Sequence, residues 1–264
     1  MTFSNIIPIF TFNKFSINKS QMNTSITSRI NNTISSYTPG SIFTYSDFSL
    51  PKENEFALAQ ALSRLTKRGE IVRVEKGKYC KPRKTSFGNL RPDVGEIVRA
   101  LTRRGDKITG YATGISIYNQ LGFTTQMSNT ITIASTYPQP AREVSGYRIK
   151  FQRKDFEFEE RDIPLLQLLD AIKDIKKIPD SNPTEVLNAI IKKIKETSSF
   201  KLKRLVQLAL NYNSSTRALL GAILEQYRKD IPNSALYKTL HSLTKYNLNL
   251  SKQVLPNQSK WNIE

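Results

Sequence analysis

The sequence predicts an α+β chain in three parts: a helix-and-hairpin unit over 23–84, a middle α/β domain with a β-hairpin over 85–161, and a C-terminal helical bundle over 162–264. Three observations predict it. Residues 54–82, NEFALAQALSRLTKRGEIVRVEKGKYCKP, read as a helix, a glycine stop, a strand, a tight turn and a second strand. Residues 130–135 and 146–154 alternate apolar and polar side chains, as half-buried strands do. From Asp162 onward the apolar residues recur at helical spacing.

The stretch 54–82 carries the strongest signal. Wound as a helix, Leu58, Ala61, Leu62 and Leu65 fall on one side, and Gln60, Ser63, Arg64 and Lys67 on the other. Gly69 follows Arg68 and can end the helix in a left-handed conformation. Residues 71–74 favour a strand, Lys76-Gly77 a turn, Tyr79 begins the return and Pro82 stops it. A helix followed by a basic two-stranded ribbon is the layout of a winged helix-turn-helix, in which the helix enters the major groove and the wing lies along phosphates. The polar face suits base edges: glutamine pairs with adenine and arginine with guanine. The ribbon sets Arg73, Lys76, Lys78, Lys81, Arg83 and Lys84 against one acid, Glu75. The same amphipathic pattern also describes an ordinary solvated helix.

Upstream, Ile26, Ile30 and Ile34 predict a first helix over 25–37, stopped by Pro39-Gly40. SIFTY, 41–45, is a short strand suited to pair with the wing. Ser46-Asp47 can cap a short second helix, and Asn54 can cap the third. Phe56 falls on the polar side, so either the helix starts after it or the ring packs under the preceding turn. Residues 1–22 lack acids and an uninterrupted apolar run; they read as a disordered or non-native extension rather than a targeting segment.

The middle domain is read as a loop over 86–91, helices over 93–104 and 111–121, and a hairpin made by 130–135 and 146–154, with 138–145 as its loop. Its second strand would turn Tyr147, Ile149 and Phe151 one way and Arg148, Lys150 and Gln152 the other. The bundle is read as helices over 164–177, from Pro183, over 199–212, 216–229 and 234–246, then a polar tail with Trp261. No solenoid period appears.

Composition narrows the partners. The 264 residues carry a net charge of +18, an excess that favours a polyanion: DNA, RNA or an anionic membrane surface. A merely basic, ribosome-like protein has the same balance. No run of about 18 apolar residues exists to span a bilayer. Cys80 stands alone, which excludes an internal disulfide and fits a reducing cytoplasm; a small buried thiol is expected there. His241 is the single histidine, so a His/Cys zinc site is not expected, nor any cofactor or other metal. His241 is read as a surface residue of the last helix.

An enzyme is not expected. No phosphate-cradling glycine loop is present, and Gly110 and Gly114 have the wrong spacing for one. The acids Asp155, Glu157, Glu159, Glu160 and Asp162 form the alternative. Three of them would share a strand face, as a Mg2+-dependent nuclease requires, while a solvated charge run is the plainer reading.

Four segments together resemble the AbiEi family of bacterial antitoxins from type IV toxin–antitoxin systems: ISSYTPGSIFTYSDF, ALSRLTKRGEIVRVEKGKYCKP, GYATGISIYNQLGFTTQM and the strand NTITIAST. The similarity covers 25–158 and fades beyond Asp162. It implies a cytoplasmic transcriptional autoregulator whose winged domain binds inverted repeats in double-stranded DNA at its own promoter, as a monomer or a dimer. A cognate nucleotidyltransferase-like toxin is the second partner it implies, counteracted without necessarily being touched. Carried over are the helix face and wing: Gln60, Ser63, Arg64, Lys67, Arg73, Lys76 and Lys78. The bottom-up reading adds Arg68, Lys81 and Arg83 as further DNA-binding cations. The competing reading is a Mg-dependent nuclease, or a toxin-binding protein that uses the winged unit as a docking platform.

Overall fold

The computed structural model describes residues 25–264, apart from 87, 91 and the side chain of 89; the expectation for 1–22 therefore lies outside the described residues. The chain opens with helix α1 (Ile26–Ser36), strand β1 (Ile42–Thr44) and a 3-10 turn, Tyr45–Phe48. Ser25 caps α1 by accepting from the Ser28 backbone N–H. Asp47 does the same locally for Thr44, whose N–H lies 2.6 Å from its carboxylate. A 3-10 turn, Lys52–Asn54, runs straight into helix α2 (Glu55–Lys67). Asn54 is itself helical there and caps nothing, because the winding has already begun upstream of it.

Strands β2 (Val72–Glu75) and β3 (Lys78–Cys80) follow, joined at Gly77, whose φ of 76° the turn requires. The sheet order is β1–β3–β2, antiparallel throughout. Alternation gives this small sheet two buried faces. Phe43 and Tyr79 pack with Ile30, Ile34, Leu58, Leu62 and Leu65 of the two helices. Val74 and Cys80 face the other way and join a core with Ile97, Leu101, Ile131, Ile133 and Ile149. The sheet is thus a shared wall between the first and middle parts of the chain.

The segment read as a loop contains a strand over 88–90. Strands β4 (Arg83–Thr85) and β5 (Gly88–Leu90) pair as a second exposed hairpin, whose polar, glycine-interrupted sequence hides its strand character. Helix α3 (Val94–Thr102) follows the expected apolar stripe but is shorter than 93–104: Asp93 caps it, and its end runs into the short pair β6 (Arg103–Arg104) and β7 (Lys107–Ile108). The helix expected over 111–121 is shorter. Residues 110–113 form strand β8 (Gly110–Thr113), and only α4 (Ile115–Gln120) is helical. Tyr111 and Thr113 are β-favouring, and pairing with a neighbouring strand overrides the helical spacing.

The expected hairpin of 130–135 with 146–154 is also corrected. Strand β9 (Thr130–Ser135) pairs with β11 (Tyr147–Arg153) in parallel, Ile131 opposite Ile149. The hairpin partner of β11 is instead β10 (Arg142–Val144), inside the segment read as loop. Ser145 and Gly146 turn it, with φ of 51° and 79°, a pair suited to a two-residue hairpin. The four-stranded order is β10–β11–β9–β8. As expected, Ile149 is buried while Arg148 and Lys150 are exposed.

The remaining helices are α5 (Ile163–Lys173), α6 (Pro183–Glu196), α7 (Ser199–Ala209), α8 (Ser214–Tyr227) and the short α9 (Ser234–Lys238). The last ends well before Tyr246, so His241 is exposed on a turn rather than in a helix. Their core is continuous with Tyr111, Tyr118, Phe123 and Ala134 of the middle part. The tail is not a polar fringe. Trp261 is 1% exposed, and its indole N–H donates to Glu225 at 2.8 Å.

That ring lies where only a glycine lets it lie. A Cβ on Gly221 of α8 would stand 2.0 Å from Trp261 Cζ3. Gly221→Ala should gain about 1 kcal/mol in helix propensity. It should lose more to the displaced indole, for a net destabilisation of about 1–3 kcal/mol in urea unfolding. A stabilised variant would show that the tail does not pack on α8.

Candidate nucleic-acid interface

Helix α2 is held by its apolar side. Leu58, Leu62 and Leu65 are buried, and Ala61 lies beside them. That burial sets the rotation of the helix about its axis, and the opposite side faces solvent. Gln60, Ser63, Arg64 and Lys67 are all exposed, and their side chains have no partner among the described residues. Phe56 belongs to the same outward face and is 75% exposed. Neither sequence expectation for it holds: the helix has already begun at Glu55, and the ring does not pack under the preceding turn.

The ribbon divides into two kinds of cation. Arg73 and Lys76 are exposed, with Lys76 at the turn; Arg83 and Lys84 are exposed on the second hairpin. None of these four pairs with an acid among the described residues. Lys78 and Lys81 differ. Lys78 Nζ donates to the carbonyls of Ala100 and of Arg103, the latter at 3.3 Å, and pairs with Glu75 at 3.1 Å. It therefore closes the C-terminus of α3, where orphan carbonyls and the helix dipole favour a cation. Lys81 Nζ donates to Ser35 O at 2.7 Å and Tyr37 O at 3.0 Å, doing the same for α1. The structure thus gives both lysines positioning work inside the protein. Arg68 lies 2.6 Å from Glu70, an exposed pair that a phosphate could displace.

Burial pushes the Cys80 thiol up to about 11, so it is a packing residue as expected. Burial also raises the Tyr79 phenol to about 12, helped by its hydrogen bond with Tyr45.

The acid run of 155–162 does not converge on one point. Glu157 sits on Lys107 at 2.8 Å, and Arg153 lies 2.5 Å from Asp155. Glu160 pairs with Arg103, and Arg161 lies 2.7 Å from Glu159. Asp162 accepts hydrogen bonds from Nε and Nη2 of Arg204, which hold its carboxyl below the usual range. The residues 154–159 are also not a strand, so the expected common face is absent. Among the described residues no group of three or more His, Cys, Asp or Glu is placed to hold a metal ion.

The sequence reading missed a buried charge beside this run. Lys154 Nζ lies 2.6 Å from Asp170, and Tyr212, Tyr111 and Thr113 hydroxyls complete the carboxylate at 2.8 to 2.9 Å. Desolvation lowers the Lys154 ammonium's pKa, and Asp170 opposes that shift. Four donors on one carboxylate leave it fully satisfied, so the cluster fastens the sheet to α5 and to the turn after α7 rather than offering an open group.

The chain belongs to a family of unknown function (DUF6088), which matches residues 29–201. No curated protein matches it in sequence. A crystal structure of the RV2827C protein from Mycobacterium tuberculosis is similar, with a TM-score of 0.51, 15% identity and coverage of 84% of each chain. At that identity the likeness shows a common mixed α+β fold and nothing of activity.

The two classes of lysine make a checkable distinction. Lys78→Met should destabilise the fold by about 1–2 kcal/mol, since two helix-end carbonyls lose their donor. It should leave the salt dependence of any nucleic-acid binding unchanged. A flattened salt dependence with unaltered stability would put Lys78 on phosphates instead.

Proposed function

We propose that this member of the DUF6088 family is a DNA-binding transcriptional regulator of antitoxin type, with residues 25–84 acting as a winged helix-turn-helix. The observation that carries the reading is the outward face of α2: Gln60, Ser63, Arg64 and Lys67 share one direction, exposed and uncommitted. The element order, with β1 closing the sheet beside β3, supports it. In this arrangement α2 enters the major groove of double-stranded DNA and its side chains meet base edges. Arg73 and Lys76 of the ribbon, with Arg83 and Lys84 of the second hairpin, follow the phosphates. Lys78 and Lys81 support the ribbon from behind.

The resemblance to AbiEi antitoxins adds two elements to the proposal. One is an operator of inverted repeats at the protein's own promoter, occupied by two copies. The other is a nucleotidyltransferase-like toxin that this protein counteracts. Both rest on the resemblance. Among the described residues no helix is long and apolar enough to cross a membrane.

Mobility shifts and anisotropy titrations on the intergenic DNA upstream of the gene test the reading. Arg64→Ala should weaken the preferred site by about 1–3 kcal/mol and relax sequence preference. Lys76→Ala should weaken all duplexes alike and reduce the slope of log K against log salt by about 0.9. If Lys76→Ala altered sequence preference alone, the ribbon would not be on phosphates.

A further inference from the structure

A lone exposed apolar side chain is ordinary on a protein surface and by itself means little. Phe56 differs in its position. It lies in the first turn of α2, 75% exposed, on the side opposite Leu58, Leu62 and Leu65. Gln60, Ser63 and Lys67 follow it at four, seven and eleven residues, so all four point the same way at about 100° per residue. The ring is absent from the buried clusters and from the apolar residues packed against them. The other large apolar side chains at comparable exposure, Met127, Phe200 and Leu243, lie on other parts of the chain.

We infer that Phe56 is a specificity-determining residue that reads thymine by laying its ring against the 5-methyl group in the major groove. The inference rests on the reading of α2 as the base-contacting helix. In that geometry the N-terminal residues of the helix reach deepest to the base edges. The major-groove edge of thymine is distinguished by one apolar group, the methyl, and an apolar side chain is its natural partner. Gln60, one turn on, is placed for the adenine code, so the leading half of the helix is suited to A·T pairs. Arg64, further along, is suited to guanine. The ring's exposure in the free protein is then explained: binding buries it, folding does not.

The test uses the full chain and a duplex selected by the wild type from a randomised pool. Each thymine in turn is replaced by deoxyuridine, which removes the methyl group and nothing else. The wild type should lose roughly fourfold at one or two thymines per half-site, the worth of one buried methyl group. Phe56→Ala should bind the thymine duplex more weakly by at least that factor and be indifferent to the same replacements. Phe56→Leu should retain part of the sensitivity, and both variants should keep the wild-type salt slope. Circular dichroism should show both folded, since the side chain is exposed. The inference is overturned if Phe56→Ala binds as the wild type does. It is equally overturned if deoxyuridine sensitivity survives in that variant, or if the variant changes only self-association in sedimentation. A wild type that selects no duplex at all removes the proposed function itself, a result distinct from these three.

Discussion

The rotation of α2 about its own axis decides what the protein presents to its surroundings. Leu58, Leu62 and Leu65 fix it, each almost wholly buried against α1 and the small sheet. Fully burying a leucine contributes about 1.5–3 kcal/mol relative to leaving it exposed. Three such residues on one stripe make any other rotation of the helix costly. The outward face is therefore determined by the inward one. Gln60, Ser63, Arg64, Lys67 and Phe56 are free of packing duties because the leucines have taken them all.

The small sheet extends that constraint. Its two faces serve different cores, Phe43 and Tyr79 toward α1 and α2, Val74 and Cys80 toward α3 and the four-stranded sheet. Glu75 reinforces the second contact by pairing with Lys78 and with Arg142 of β10. The ribbon consequently packs on the middle part, with its tip at Lys76 exposed. Farther on, the Lys154–Asp170 cluster joins the end of β11 to α5 at a site where both charges are buried. Such a pair adds little net stability, yet removing one partner leaves an uncompensated charge. Its effect is to hold one arrangement of sheet against bundle. The helices beyond Asp162 are thus tied to the four-stranded sheet by this cluster and by the core they share with Tyr111 and Ala134.

Much of this was legible in the sequence, and the failures have physical causes. The leucine stripe of α2, the Gly77 turn and the Pro183 helix start are legible because each depends on local chemistry. The parallel pairing of β9 with β11 is not, since alternation gives a strand's faces but not its neighbour. Residues 111–113 read as helix because the helical spacing around them is real, and only tertiary pairing overrides it. Lys78 and Lys81 looked like wing cations because composition cannot show that a helix C-terminus lies within reach of an ammonium group. Phe56 carried its own signal. An aromatic on the polar side of an amphipathic helix was an anomaly in the sequence, and the structure keeps it as one.

The most direct measurement is the affinity of the wild-type chain for duplex DNA as a function of salt. Six cations, Arg64, Lys67, Arg73, Lys76, Arg83 and Lys84, are exposed on α2 and the two hairpins with no acid partner among the described residues. If the four on the ribbon and the second hairpin reach phosphates, log K should fall against log salt with a slope of roughly −3.6 for each bound copy. No detectable binding at about 50 mM salt, or binding that salt does not weaken, would contradict the account.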